Sequence, residues 1–179
     1  RDILPESSAE GEPHVGQEPS PGNSRRRLLE LIERPESFPL PDPPAARTAV
    51  RLAQAAQDVR SEAMAYREWG RALQDGDNRE VSQRHLERAL ALARDAGLRQ
   101  VEAEILHTLG IVLGYRDNRE RQMECWEQGL RICREIGDRR REGEALRDIG
   151  FALRWRDNLT ESVGYMRQSL DICRETGNR

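Results

Sequence analysis

Residues 100–139 read QVEAEILHTLGIVLGYRDNRERQMECWEQGLRICREIGDR, and the framework of this stretch recurs forty residues earlier and forty residues later. Gly70, Gly110 and Gly150 share one register, and Leu73, Leu113 and Leu153 another. The same interval relates Asp77-Asn78, Asp117-Asn118 and Asp157-Asn158; Leu90, Leu130 and Leu170; Arg94, Arg134 and Arg174; and Gly97, Gly137 and Gly177. Registers that agree at one ungapped period mark an internal repeat, whose units each bury an apolar face against their neighbours. Three full units result, at about 60–99, 100–139 and 140–179.

Each unit carries two stripes at helical spacing. The first holds Tyr66, Trp69, Gly70 and Leu73, then Leu106, Leu109, Gly110 and Leu113, then Leu146, Ile149, Gly150 and Leu153, each at i, i+3, i+4 and i+7. The second holds Leu86, Ala89, Leu90 and Ala93, then Trp126, Gly129, Leu130 and Cys133, then Met166, Ser169, Leu170 and Cys173. A glycine inside a helix costs about 1 kcal/mol against alanine, so its place in a buried stripe predicts that two helix backbones approach closely there. Asn78, Asn118 and Asn158 are expected to cap the second helices, Gly97 and Gly137 to end them, and Asp138 to cap the next first helix. Ala45 to Gln57 matches a second helix, with Ala49, Val50, Leu52 and Ala53 in register with Ala89, Leu90, Leu92 and Ala93. The array over 45–179 therefore opens with a half-unit at 45–59.

Upstream the pattern fades. Residues 1–23 are rich in Pro, Gly, Ser and Glu and bury too little to offset ordering entropy, so a disordered tail is expected. Residues 24–44 read as a short helix, Arg25 to Arg34, followed by an extended linker over Pro35 to Pro44 in which five of ten residues are proline. That short helix, with Leu28, Leu29, Leu31 and Ile32 on one side, is the candidate partner of the half-unit. Because the chain opens on Arg1 it is expected to be a fragment or a processed form.

The units resemble the tetratricopeptide repeat. Tyr66-x-x-Trp69-Gly70-x-x-Leu73, Leu106-x-x-Leu109-Gly110-x-x-Leu113 and Leu146-x-x-Ile149-Gly150-x-x-Leu153 follow its first-helix pattern. Ser82-x-x-x-Leu86, Gln122-x-x-x-Trp126 and Ser162-x-x-x-Met166 follow the second, with Gln122 large for its slot and expected to widen that hairpin. The endings, such as Ile132-Cys133-Arg134-Glu135-Ile136-Gly137-Asp138-Arg139, resemble a forty-residue subclass found in Leu-Gly-Asn-type adaptors and in sensor arms of bacterial signal-transduction ATPases and regulators. The resemblance implies an all-α fold, an α-α superhelix of three helical hairpins plus a partial N-terminal unit. It also implies a non-enzymatic module that binds a protein or peptide on its concave face.

Stacked hairpins set equivalent first-helix residues side by side, which puts Arg67, Arg71, His107, Ile111, Arg147, Phe151 and Arg154 on that face as the candidate peptide site. Arginines around Ile111 and Phe151 suit a segment carrying carboxylates and an apolar anchor; the competing role for Ile111 and Phe151 is packing between repeats. Glu104 and Glu144, three residues before His107 and Arg147, are expected to neutralise part of the charge. A second reading is a structural, self-associating arm of a larger signalling ATPase or transcriptional regulator, joined through the last helix with Val163, Met166, Leu170 and Cys173.

Other classes lack support in the sequence. Twenty-nine basic against 32 acidic residues leave a net charge of -3, which argues against nucleic acid or an anionic membrane as partner. Aromatic residues are only 4% and mean hydropathy is -0.84, so the core must come from Leu, Ile, Val and Ala. There is no apolar run of about 18 residues and no signal-peptide order, and Cys125, Cys133 and Cys173 form no C-x-x-C, so a cytoplasmic protein is expected. His14, His85 and His107 lack ligand spacing, and no nucleophile elbow or phosphate loop occurs, so neither metal, cofactor nor catalytic residues are expected. Arg139-Arg140-Arg141 opens a helix beside Glu142 and Glu144 and reads as a solvated face.

Overall fold

The computed structural model describes residues 43–74, 78–115, 118–154 and 158–177. These form seven helices: α1 (Pro43–Ala55), α2 (Val59–Ala72), α3 (Arg79–Asp95), α4 (Arg99–Tyr115), α5 (Arg119–Ile136), α6 (Arg139–Arg154) and α7 (Leu159–Thr176). No strand occurs among the described residues. The two-stripe pattern folds as it should: α2 with α3, α4 with α5 and α6 with α7 make hairpins. The second helix of each hairpin packs on the first helix of the next, α3 on α4 and α5 on α6, while α1 packs on α2. The result is an all-α, α-α superhelix. The expected tail over 1–23, the Arg25–Arg34 helix and the recurring Asp77, Asp117 and Asp157 lie outside the described residues. Pro43 and Pro44 do not extend the linker but open α1. A first helical turn has amides without intrahelical acceptors, so proline is tolerated there.

Two large core clusters follow the stacking, beside a small one of Ala49, Val50 and Ala65 between α1 and α2. One joins Leu86 and Leu90 of α3 to Val101, Ile105, Leu109 and Leu113 of α4. The other joins Met123, Trp126 and Leu130 of α5 to Leu146, Ile149 and Leu153 of α6 and Ile172 of α7. Each fully buried leucine or isoleucine contributes about 1.5–3 kcal/mol, and these side chains carry the fold in place of the scarce aromatics.

At two of the stripe glycines the expected backbone approach occurs, a Cβ on Gly70 lying 3.0 Å from the Ser82 carbonyl oxygen and one on Gly150 3.3 Å from that of Ser162, and at all three a side chain also closes in. A Cβ on Gly70 would lie 2.6 Å from Leu86 Cγ, one on Gly110 2.5 Å from Trp126 Cδ1, and one on Gly150 3.1 Å from Met166 Cγ. Each glycine thus admits a large side chain from the second helix of its own hairpin. In two hairpins a serine adds a bond, Ser82 Oγ donating to the Gly70 carbonyl at 2.6 Å and Ser162 Oγ to the Gly150 carbonyl at 2.7 Å. In the middle hairpin Gln122 replaces that serine and lies over Gly114, whose Cβ would come 2.9 Å from Gln122 Cδ. Gln122 is thus accommodated by a paired change: the positions equivalent to Gly114 are Gln74 and Arg154.

Consecutive hairpins are clasped by carboxylates buried at their junctions. Glu102 is 5% exposed and accepts from Arg94 Nε of α3 at 2.9 Å and from Arg99 at 2.7 Å; Arg99 also grips Glu135 of α5. Forty residues on, Glu142 is 6% exposed and accepts from Arg134 Nε at 3.0 Å and Arg139 at 2.7 Å, and Arg139 grips Glu175. Arg139 and Arg140 stay exposed, as a solvated face would have them, though Arg139 is tied to Glu142 and Glu175 and Arg140 to Glu144; Arg141 departs from that reading, half-buried on Asp138 and Glu104. A junction carboxylate that must be desolvated is held there only because two guanidinium groups satisfy it.

The ends of the helices correct the capping pattern. Of the three asparagines only Asn118 accepts from a backbone amide, that of Arg121 at 3.4 Å; the side chains of Asn78 and Asn158 make no such cap. Asp138 caps α6 as expected, accepting from the Arg141 amide at 3.1 Å, and Asp58 caps α2 in the same way through Ser61. Burial works against the Asp138 carboxylate, but hydrogen bonds from Arg141 outweigh it and hold its pKa below the ordinary aspartate value. Gly97, Gly137 and Gly177 take positive φ at the helix ends, and Gln57 stands in the equivalent place with φ 52°.

Two outcomes follow for stability. Gly129→Ala places its Cβ at ordinary contact, 3.7 Å from the Ala103 carbonyl oxygen, and is expected to be neutral or to stabilise by up to about 1 kcal/mol. Gly110→Ala drives its Cβ into the Trp126 ring and is expected to destabilise by about 1–3 kcal/mol; in thermal melts Gly110→Ala should fall while Gly129→Ala holds or rises. Gln57→Gly relieves a left-handed non-glycine residue, and chemical denaturation should show a gain of up to about 1 kcal/mol.

Candidate functional site

First helices line one wall of the array, and their spacing along it is uneven. α2 packs directly against α4, whereas α4 and α6 meet far less. Between α4 and α6 the Trp126 indole, which is Leu86 in the preceding hairpin, fills the Gly110 notch and donates from Nε1 to the His107 carbonyl at 3.1 Å. Two hollows open along this seam on either side of His107 and Trp126, both of which line each of them.

The larger is an open groove of about 590 Å³. Ile111, Tyr115, Met123, Trp126, Phe151 and Ala152 give it an apolar lining, and Gly114 lies along it beneath the Gln122 side chain. Its polar edge holds His107, Arg119, Arg147 and Asp148. Asp148 Oδ2 lies 2.7 Å from His107 Nε2, and Asp148 Oδ1 lies 3.0 Å from Arg147. Phe151 and Tyr115 are 43% and 53% exposed, enough to present ring faces to a ligand. Arg154 stands over the Phe151 ring at 5.8 Å and Arg79 over Tyr115 at 5.6 Å, which stiffens both rings by cation–π contact.

The smaller hollow is a slot of about 240 Å³ between the N-terminal halves of α4 and α6. Ala103, Gly129, Cys133 and Ala145 line its apolar part. Charged groups make the rest: Glu104 bridges Arg67 of α2, at 2.9 Å, and Arg141 of α6, and Arg140 pairs with Glu144 at 3.1 Å. Arg67 Nε is buried and finds no hydrogen-bond partner among the described residues. Burial raises the Cys133 thiol to about 11, so it stays protonated near neutral pH and offers no nucleophile.

Of the residues expected at the site, His107, Ile111, Arg147 and Phe151 come together in the groove, and Arg67 joins His107 at the slot. Arg71 is turned to Glu68 at 2.8 Å and Arg154 to the Phe151 ring, and neither lines either of these two hollows. Neither expected partner is met: Glu104 pairs across helices with Arg67 of α2 and Arg141 of α6, Glu144 pairs within α6 but with Arg140, and it is Asp148 that meets both His107 and Arg147. The sequence reading missed Tyr115, one turn beyond Ile111 on the same face, which its i+4 spacing announces. It also took Trp126 for core alone and overlooked Asp148, whose position beside Arg147 gives no sign of the bond to His107.

Among the described residues no group of three or more His, Cys, Asp or Glu side chains is placed to hold a metal ion, and no helix is long and apolar enough to cross a membrane. If Glu104 is the hub of the slot, Glu104→Gln leaves Arg67 and Arg141 without their shared carboxylate and should cost about 1–3 kcal/mol in denaturant titration. Glu80→Gln, whose pair with Arg84 is 3.9 Å long and exposed, should cost almost nothing.

Stacked hairpins with an apolar seam between first helices define this chain as a helical-repeat solenoid. Residues 143–176, which span most of the last hairpin, match the family model described as tetratricopeptide repeat. Among solved structures the chain is similar to one titled "Crystal structure of MamA", with a TM-score of 0.61 and 23% identity over 89% of this chain and 84% of that one. A second, "Crystal structure of MamA protein", has a TM-score of 0.58 and 23% identity over 88% and 76% of the two chains. At this identity the likeness is one of fold. No curated protein matches the sequence.

Proposed function

We propose that the chain is a non-enzymatic protein-interaction module that holds a peptide segment of its partner on the concave face, in the groove between α4 and α6. The observation that carries this reading is the groove itself: about 590 Å³, open, apolar at its base and rimmed by Arg119, Arg147, His107 and Asp148. An apolar side chain seated against Phe151, Ile111 and Trp126 supplies the anchor, and carboxylates on the same segment meet the arginine edge. Arg147 is already partly satisfied by Asp148, so apolar burial is the larger contribution and charge the smaller. Three free thiols, two of them buried, fit a reducing compartment such as the cytoplasm.

The test is selection of random twelve-residue peptides displayed on phage against the chain, followed by titration of an enriched peptide. Phe151→Ala should weaken binding by about 2 kcal/mol or more, and Arg147→Glu and added salt should weaken it further. Arg131→Ala, on an exposed site of α5, should leave it unchanged. Enriched peptides indifferent to Phe151→Ala and Arg147→Glu would move the site elsewhere. One observation favours a second reading, self-association through α7: Leu170 is 48% exposed where its equivalents Leu90 and Leu130 are 8% and 5%. A mass that rises with concentration and returns to one chain in Leu170→Glu would support that role.

A further inference from the structure

The junctions between hairpins follow one rule, and α7 meets only half of it. At every junction among the described residues, the last turn of a second helix holds a carboxylate from the first turn of the helix that covers it. Gln54 holds Glu62, Arg94 holds Glu102 and Arg134 holds Glu142. Arg174 is the next member of this forty-residue series. Its partner is Asp171 of its own helix, at 3.4 Å, and its side chain is 71% exposed against 48% for both Arg94 and Arg134.

The apolar side chains beside it repeat the pattern. Met123 and Leu130 of α5 are buried in one cluster with α6, whereas their α7 equivalents Val163 and Leu170 are each 48% exposed. At ~100° per residue, Val163, Leu170 and Arg174 fall within about 40° of one another around the helix. They make one face, apolar along its length and basic at its C-terminal end.

The two covered faces show what such a face takes. The helices that lie on them, α4 and α6, open on Arg-x-x-Glu, Arg99 with Glu102 and Arg139 with Glu142. Four and seven residues behind the glutamate stand buried apolar side chains, Leu106 and Leu109 in α4, Leu146 and Ile149 in α6. The carboxylate oxygens are divided between two arginines, Oε1 to Arg94 or Arg134 and Oε2 to Arg99 or Arg139. A helix of this kind therefore brings its glutamate half satisfied and needs one guanidinium from the face it meets, which is what Arg174 offers. A second copy of the chain presents no such helix among its described residues. Its α1 has no acidic residue, and α2, α4 and α6 are each already covered by the helix before them. Its α7 carries Glu161 in the first turn, but nine residues from Leu170, which is half a turn around the helix.

We infer that the face of α7 formed by Val163, Leu170 and Arg174 docks a helix of a partner protein, one that opens on Arg-x-x-Glu and sets apolar residues four and seven positions behind the glutamate, with Arg174 receiving the carboxylate. This surface is separate from the groove, and the inference does not rest on the groove reading. It also narrows the occupant of α7 to a helix that a second copy does not present.

The probe is a synthetic fluorescein-labelled peptide of residues 138–154, the sequence of α6 with its Asp138 cap, titrated into the full chain by fluorescence anisotropy. Binding should saturate. Arg174→Gln in the chain and Glu142→Gln in the peptide should each weaken it about tenfold, and the two together little more than either, since they remove one contact. Leu170→Glu should abolish binding, and Phe151→Ala in the chain should leave it unchanged. Binding lost with Phe151→Ala would place the peptide in the groove and overturn the inference. So would the absence of saturable binding, or binding indifferent to Arg174→Gln and Leu170→Glu. Sedimentation of the chain alone supplies the other arm: a mass that rises with concentration and returns to one chain in Leu170→Glu would give the face to a second copy and overturn the inference as well. None of these outcomes alters the test of the groove by enriched peptides.

Discussion

The clasp on a buried glutamate is the interaction on which the arrangement of this molecule depends. Apolar stripes bring helices together, yet leucine against leucine tolerates sliding and rotation. Glu102 and Glu142 do not: each is almost wholly removed from water and each is satisfied by one arginine from the preceding hairpin and one from its own. Arg99 and Arg139 then reach on to Glu135 and Glu175, so three successive helices are pinned at each of these two junctions. A buried carboxylate deprived of these partners would be strongly unfavourable, which makes the clasp a device for fixing register more than a source of net stability. The first junction is a weaker version, in which Gln54 donates to Glu62 at 2.9 Å.

With the register fixed, small differences among the repeats become the site. Three hairpins share one plan, and the middle one departs from it at linked positions: Trp126 for Leu86 and Met166, Gln122 for Ser82 and Ser162, Gly114 for Gln74 and Arg154. The tryptophan occupies the notch left by Gly110, the glutamine lies over Gly114, and both side chains line the groove. A repeat protein gains a specific surface in this way without new elements, since substitutions on a rigid frame suffice.

Much of the fold was legible because its signals are local and periodic. Glycines and leucines at a forty-residue interval announce the hairpins, and Gly97, Gly137 and Asp138 punctuate them as read. The asparagine caps were less certain from sequence, since whether a side chain turns back to an amide depends on the loop leading into it; Asn118 does and Asn78 does not. The site was half legible. His107, Ile111, Arg147 and Phe151 share a face by spacing alone, but the charge balance of that face is set by partners 37 to 41 residues away, such as Glu104 on Arg67 and Asp148 on His107. Helical spacing says which residues share a face, and not which side chain crosses to the next helix. The result is a less positive wall than the arginine row suggested.

The central claim places a partner segment on the seam between α4 and α6, where Trp126 lines both hollows and donates its indole N–H to the His107 carbonyl. Trp69 serves as an internal reference, stacked on His85 at 4.0 Å in the preceding hairpin and outside both hollows. The most direct measurement is a nitrogen–proton correlation spectrum of the indole N–H groups as an enriched peptide is added. The Trp126 resonance should move with saturation at the same concentration as the binding titration of that peptide, while Trp69 stays in place. A saturating peptide that shifts Trp69 and leaves Trp126 unmoved would contradict the account.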